Sequence, residues 1–180
     1  YATKVPYFIA HILFNLDQHD TLVNYLKPLL KSNNFNNYKE LVLLQAKSHY
    51  HLSQYDESIA YFEEYKELNK SLNREQLYQI GIAYYRKGLY GFSINHLNKI
   101  VITKNDSLAQ YAFYYLGDSY RYIENRTEAM HAFRSASLLD TDSLIQHDAF
   151  YQFVILCYEQ NSPLYSPKEY LSKFIDKYPK

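Results

Sequence analysis

Large and small apolar residues follow one another along the chain in a pattern that predicts pairs of helices. Segments 77–84 and 113–120 both read as a large residue, two residues, an apolar residue and Gly, two residues, and Tyr. Spacings of three and four place such residues on one face of a helix. A second series at helical spacing follows each segment: Ser93, Leu97 and Ile100 after Gly81, and Ala129, Phe133 and Ala136 after Gly117.

The same arrangement recurs over the whole chain. Its key positions are 10, 46, 81, 117 and 155, and they are separated by 36, 35, 36 and 38 residues. Ala10 and Ala46 are small like the two glycines, which allows close approach of a second helix. Ile155 is large, so we expect the last pair of helices to pack at a different angle.

This pattern resembles the tetratricopeptide repeat, whose period is about 34 residues. The resemblance implies an all-α fold, a right-handed α-solenoid of five helix-turn-helix repeats with about ten antiparallel helices. One array is expected to occupy residues 1–180, with repeats at approximately 3–36, 37–72, 73–106, 107–142 and 143–180.

Helix boundaries are predicted from capping residues as well as from the period. An Asn or Ser followed three residues later by Glu or Gln satisfies the free amide groups at the start of a helix. Such pairs occur at Asn37, Asn73, Ser107, Asn125, Ser143 and Ser166. The predicted helices span roughly 3–16, 19–31, 38–52, 55–68, 74–87, 90–102, 108–123, 126–139, 144–160 and 167–178.

Composition and charge narrow the function classes. Lys and Arg together number 19, as do Asp and Glu, so a formal net charge of +0 disfavours nucleic acid as the main ligand. No apolar stretch is long enough to cross a membrane, and direct membrane insertion is not expected. The abundance of aromatic residues, 22 Tyr and 10 Phe, instead supplies large amphipathic side chains for packing and recognition.

The sequence contains no recognisable catalytic or cofactor motif. Gly-rich phosphate loops, nucleophile elbows and zincin motifs are all missing. Cys157 lies in an apolar run typical of a buried thiol, and His49 and His51 point to different faces of a predicted helix. We therefore expect no enzymatic activity, no cofactor and no metal.

The resemblance also implies where a partner binds. In tetratricopeptide proteins the first helix of each repeat lines the inner wall of the solenoid, and here those positions are rich in tyrosine. A competing interpretation is that several of these tyrosines pack between repeats with only their hydroxyls exposed. The predicted partner-binding residues are Tyr7, His11, Phe14, Lys47, Tyr50, Tyr78, Tyr85, Arg86, Tyr111, Tyr114, Asp118, Arg121 and Tyr122.

The leading functional hypothesis is a scaffold that binds a protein or peptide in this tyrosine-rich groove. The chain resembles bacterial tetratricopeptide proteins of the cell envelope that assist assembly or secretion, with a cytoplasmic location as the alternative. A second hypothesis is a sensory or regulatory segment of a larger signalling protein. An RNA-binding repeat is disfavoured because the predicted groove has no excess of basic residues. Apolar residues near both ends suggest a fragment of a longer chain, or self-association through the terminal repeats.

Overall fold

The computed structural model describes residues 5–31, 37–101, 104–161 and 165–178. These residues form ten α-helices and no strand, and each helix boundary lies within two residues of its predicted position. The helices are α1 (Val5–Asn15), α2 (His19–Leu30), α3 (Tyr38–His51), α4 (Tyr55–Asn69), α5 (Arg74–Arg86), α6 (Tyr90–Val101), α7 (Ser107–Tyr122), α8 (Arg126–Ser137), α9 (Ser143–Glu159) and α10 (Pro167–Lys177).

The helices belong to two compact units. Unit 1 is Tyr1–Gly88 and contains α1 to α5, whereas unit 2 is Leu89–Lys180 and contains α6 to α10. The boundary falls in the turn between α5 and α6, inside the third predicted repeat. The single array over residues 1–180 stays a prediction.

In unit 1, two clusters of buried apolar side chains pack between successive helices. Ala10 and Leu26 pack against Leu41 between α1, α2 and α3. Phe62 of α4 lies fully buried between Ala46 of α3 and neighbouring residues of α5. Burying one such side chain contributes about 1.5–3 kcal/mol. The backbones of α3 and α4 come close enough for the buried Ser58 hydroxyl to donate to the Ala46 carbonyl at 3.0 Å.

In unit 2 the contact between α7 and α8 depends on the absence of a side chain at Gly117. A Cβ atom there would lie 2.8 Å from both Cγ and Cδ1 of the Phe133 ring. Phe133 is itself buried in the unit 2 core with Ala129, Ala136 and Phe153. The ring therefore occupies the space that any larger residue at position 117 requires, as the small-residue pattern predicted.

Within every predicted pair, the turn between the two helices contains one residue in the left-handed backbone conformation. In each case it follows the small key position by seven residues, except in the last pair, where it follows Ile155 by six. These residues are Asp17, Ser53, Gly88, Glu124 and Asn161, with φ between 44° and 72°. Counting seven back from Asn161 gives Val154, which is buried, whereas Ile155 is only half-buried. The predicted key position Ile155 is therefore wrong by one residue.

The turns share a hydrogen-bond pattern as well as a conformation. The amide of Gln18 donates to the carbonyl of Leu13 at 2.9 Å, and that of Asp17 donates to Phe14 at 3.0 Å. The equivalent bonds recur in the turns at Ser53 and Glu124. This arrangement satisfies carbonyl groups at the end of the first helix and reverses the chain.

The capping predictions are correct at three helices and wrong at three. Asn73 forms the full reciprocal pair with Gln76, and Asn125 and Ser166 each accept a backbone bond. Asp106 and Asp142 cap α7 and α9 in place of the predicted Ser107 and Ser143 one residue later. A carboxylate at that position is favoured because it accepts hydrogen bonds from backbone amides and is attracted to the positive end of the helix dipole. Asn37 precedes α3 without a side-chain capping bond.

A buried glutamine holds α7 against the connection between α8 and α9. The side chain of Gln110 is fully buried, and its amide nitrogen donates to the carbonyls of Leu139 at 2.6 Å and Asp142 at 3.1 Å. Its carbonyl oxygen accepts from the Asp142 amide at 2.8 Å. These bonds satisfy backbone groups that burial otherwise leaves unpaired.

We predict that Gly117→Ala destabilises the chain by about 1–3 kcal/mol, because the new methyl group overlaps the Phe133 ring and the packed core must shift. Urea unfolding followed by circular dichroism measures this loss. Gly91→Ala is the matched control, since nothing lies within 4 Å of a Cβ at Gly91. The control should be neutral or stabilising by about 0.5 kcal/mol. Equal destabilisation by both substitutions would contradict the packing explanation.

Candidate functional site

Three first helices lie side by side in unit 1. α3 contacts both α1 and α5, and Lys47 of α3 forms an ion pair with Glu75 of α5 at 2.8 Å. On the other side of α3, the rings of Phe14 and His51 meet edge to face with centroids 6.0 Å apart. We call the predicted residues on these helices the unit-1 face: Tyr7, His11, Phe14, Lys47, Tyr50, Tyr78, Tyr85 and Arg86.

The aromatic residues of the unit-1 face are half-buried. Tyr50 contacts the rings of Tyr55 and His51, with centroids 6.3 Å and 5.8 Å away. The exposed Arg86 guanidinium lies over the Tyr85 ring, 5.8 Å from its centroid. Side chains packed in this way keep a fixed orientation while part of each ring faces solvent. Such a surface can make apolar contacts and donate hydrogen bonds from the phenol groups.

In unit 2, two of the predicted tyrosines of α7, Tyr111 and Tyr114, form hydrogen bonds with the next helix pair. Tyr114 donates to Asp148 of α9 at 2.5 Å, and Tyr111 donates to Asp142, the residue that caps α9. Burial and the bond to Asp148 raise the pKa of Tyr114, while the bond to Asp142 is the main cause that raises the pKa of Tyr111. Both phenols therefore stay protonated, and their hydroxyls serve packing between helices.

Of the remaining predicted residues of α7, Arg121 and Tyr122 are exposed and Asp118 is largely buried. Arg121 pairs with Asp118 at 2.5 Å and donates to Gln152 of α9 at 2.9 Å. Tyr122 is 55% exposed and stacks on Tyr90 of α6 at a centroid distance of 4.3 Å. We call Tyr111, Tyr114, Asp118, Arg121 and Tyr122 the unit-2 face.

A stacked histidine pair in unit 1 has no counterpart in the sequence-based prediction. The rings of His19 and His51 are parallel within 4° and their centroids are 4.4 Å apart, with Phe14 at the edge of both. Asp17 lies 3.6 Å from His19. The two histidines are 32 residues apart, and only the contact between helix pairs brings them together, so no local pattern identifies them.

The groups around His51 shift its pKa in opposite directions. Burial lowers the pKa of His51, as do His19 and Lys47, whereas Asp17 and Glu75 partly offset that shift. His51 is nevertheless an exposed residue, so water screens these interactions. The balance favours the neutral form, since two stacked imidazoles cannot both carry a proton without repulsion.

Other groups with potential chemistry are buried or dispersed. Cys157 is fully buried, and burial raises the pKa of its thiol to about 11, which disfavours the reactive thiolate. Across the described residues, no three His, Cys, Asp or Glu side chains converge in a way that suits a metal ion. Within the same residues, the helices are too short or too polar to cross a bilayer.

Comparison with known families identifies one repeat directly. A family model described as tetratricopeptide repeat matches residues 111–137, from the second turn of α7 to the end of α8. This segment lies within the fourth predicted repeat and contains Gly117 and Phe133. No curated protein matches the chain by sequence.

Solved structures share the fold over nearly the whole chain. MamA 41-end from Desulfovibrio magneticus RS-1 has a TM-score of 0.73 at 16% identity, covering 97% of this chain and 93% of that one. YrrB, described as a TPR protein with an unusual peptide-binding site, gives 0.74 at 18%, covering 95% and 84%. A Podosopora anserina putative kinesin light chain with nearly identical TPR-like repeats gives 0.64 at 11%, covering 100% and 99%.

These similarities confirm the predicted all-α tetratricopeptide-type fold. The prediction that the chain is not an enzyme agrees with the match to the tetratricopeptide-repeat model.

We predict that acid destabilises the chain partly through His51. A lowered pKa in the folded state means that the unfolded chain binds more protons as pH falls below about 6.5, so stability decreases. The midpoint temperature of thermal unfolding should decrease as the pH is lowered from 7.5 to 5.5. His51→Phe keeps a ring stacked on His19 but cannot be protonated, so the fall should be smaller in this variant. An identical pH profile in both proteins would exclude the histidine pair as a cause.

Proposed function

The chain has the tetratricopeptide-repeat fold, and we propose that it is a scaffold that binds a peptide or protein segment through the unit-1 face. The observation that carries this proposal is the side-by-side arrangement of α1, α3 and α5. It gathers half-exposed aromatic residues from three helices onto one surface. Tyrosine suits such a surface because its ring gives a large contact area with little loss of side-chain entropy.

The charges of the unit-1 face favour recognition by apolar and aromatic contacts. Lys47 is largely neutralised by Glu75, since the two groups form a close ion pair. Arg86, which lies over Tyr85, supplies the exposed positive charge. A bound segment therefore presents aromatic or large aliphatic side chains to the tyrosines, and salt has a limited effect on its affinity.

The unit-2 face is proposed as a contact surface in its own right, with a different balance of residues. Tyr111 and Tyr114 use their hydroxyls on aspartates of α9, which leaves their ring edges for contact. Tyr122 and Arg121 are the more exposed members. This surface is proposed to contribute through Tyr122 and the Asp118–Arg121 pair.

YrrB supports this proposal because it is described as binding a peptide on the same fold. Envelope assembly and a regulatory role in a signalling protein both stay predictions about the whole protein. They require different neighbouring domains, and the flanking sequence distinguishes them.

Self-association is a further proposal from the sequence, and α1 supports it. A row of exposed apolar side chains follows one side of this helix at spacings of three and four residues. The row comprises Val5, Phe8, Ile9 and Ile12, and it continues at Leu16 immediately after the helix. An exposed apolar row of this kind is typical of surfaces that another helix covers.

We predict that the chain selects peptides from a displayed random library and that these are rich in aromatic or large aliphatic residues. Affinity of a selected, dye-labelled peptide is then measured by fluorescence anisotropy. The triple variant Tyr50→Ala, Tyr78→Ala, Tyr85→Ala should weaken binding at least about tenfold, because aromatic anchors dominate such interfaces.

Tyr158→Ala is the matched control, since Tyr158 is 73% exposed and lies on α9, a helix that contributes no residue to the unit-1 face. It should leave affinity unchanged, and circular dichroism verifies that all variants are folded. Failure to enrich any peptide, or equal affinity for the triple variant and the control, would overturn the proposal. If the triple variant unfolds, Arg86→Ala is measured in its place, because Arg86 is exposed. This variant should also weaken peptide binding.

A further inference from the structure

A second candidate site lies between α8, α9 and α10 in unit 2. It is a cavity of about 340 Å³, and we call it the C-terminal pocket. Its floor is aromatic and its rim is cationic. The residues that matter are Phe150, Phe153 and Tyr170 at the floor and Arg134, Lys173 and Lys177 at the rim.

The pocket lies on the opposite side of α9 from the unit-2 face. Asp148 and Gln152 of α9 contact residues of α7 on that face. At about 100° per residue, the mean direction of Phe150 and Phe153 lies about 150° around the helix from the mean direction of those two residues. The pocket is therefore a separate surface, and it is framed by the second helices α8 and α10.

The floor is held in one arrangement by ring contacts. Phe153 is fully buried, and its ring meets that of Tyr170 edge to face at a centroid distance of 5.0 Å. Phe150 packs against Phe153 at 6.3 Å and against Phe174 at 5.6 Å. A rigid apolar floor needs little reorganisation before binding, which favours affinity.

The rim carries more positive charge than its neighbours neutralise. In the described part of the chain, neither Arg134 nor Lys177 has a carboxylate within ion-pair distance, and each lies near an aromatic ring instead. Lys173 alone has an acidic partner, Glu169, at 2.5 Å. Among the described residues that line the pocket, none is acidic. The local charge is therefore positive in a chain whose formal net charge is +0.

We propose that the C-terminal pocket binds an acidic peptide segment in which an aromatic side chain stands next to Asp or Glu. The aromatic side chain packs against Phe150 and Tyr170, which the buried Phe153 supports from below, and the neighbouring carboxylates pair with Arg134 and Lys177. Carboxylates bind guanidinium and ammonium groups through charge-assisted hydrogen bonds, which are stronger than neutral ones.

The size and surroundings of the pocket favour a peptide over a small molecule. A volume of about 340 Å³ is at the lower limit for ligand pockets, enough for one or two anchoring side chains. The apolar surface continues beyond the cavity at Leu138, which lines it and is 66% exposed. A peptide covers this additional surface, whereas a small carboxylate reaches only the cavity.

The test uses the whole chain and a dye-labelled eight-residue peptide, Gly-Ser-Asp-Glu-Phe-Asp-Gly-Ser, with anisotropy as the readout. Two matched peptides replace either the three acidic residues by Asn and Gln or the Phe by Gly. Both changes should weaken binding at least about tenfold, and raising the salt concentration should weaken the acidic peptide specifically.

Protein variants assign the binding to the pocket. Arg134→Gln combined with Lys177→Gln should reduce affinity at least about tenfold. Lys177→Gln alone should weaken binding in the same direction, whereas Lys168→Gln, which removes one positive charge on another side of α10, should have little effect. Thermal melting verifies folding, and the exposed Lys177→Gln alone is compared with Lys168→Gln if the double variant unfolds.

Three results with the peptides and variants would overturn the proposal, and a fourth comes from competition. The first three are equal binding of the neutral peptide, unchanged affinity of the Arg134 and Lys177 variants, and absence of any binding by the acidic peptide. Competition by 3-phenylpropionate as strong as that by the unlabelled peptide would assign the pocket to a small carboxylate and exclude the peptide.

Discussion

The close approach of two helices at one small residue is the constraint on which this structure depends. At Gly117 the ring of Phe133 occupies the place of a side chain. At Ala46 the same closeness lets the Ser58 hydroxyl reach a backbone carbonyl of the facing helix. Within each unit, the larger residues of these helices then pack against the neighbouring helices, which allows the pairs to stack.

Several polar groups predicted to bind a partner instead form contacts between stacked helix pairs. Tyr111 and Tyr114 bind aspartates of the next pair, and Lys47 binds Glu75. The interpretation that tyrosines pack between repeats thus applies to these two residues, whereas Tyr122 stays largely exposed. The first helices carry both the packing and the proposed binding surface, so a substitution there affects the two together unless it is confined to exposed ring edges.

The period and the small residues predicted the helices closely because both arise from contacts within a pair, which local spacing encodes. The left-handed turn residues were not predictable by type, since Asp17, Ser53 and Glu124 share no side-chain chemistry. The His19–His51 stack joins different helix pairs, and the C-terminal pocket combines α8, α9 and α10. Residue spacing alone does not specify which side chains meet across pairs, because that depends on how the helices pack.

The most direct test of the packing constraint is a double-mutant cycle between positions 117 and 133, measured by urea unfolding. Phe133→Leu alone leaves a smaller side chain and should cost about 1–3 kcal/mol. If the ring is what excludes a side chain at 117, Gly117→Ala should cost less in the Phe133→Leu background than in the native chain. The expected coupling is about 1 kcal/mol or more. Additive losses would contradict the account.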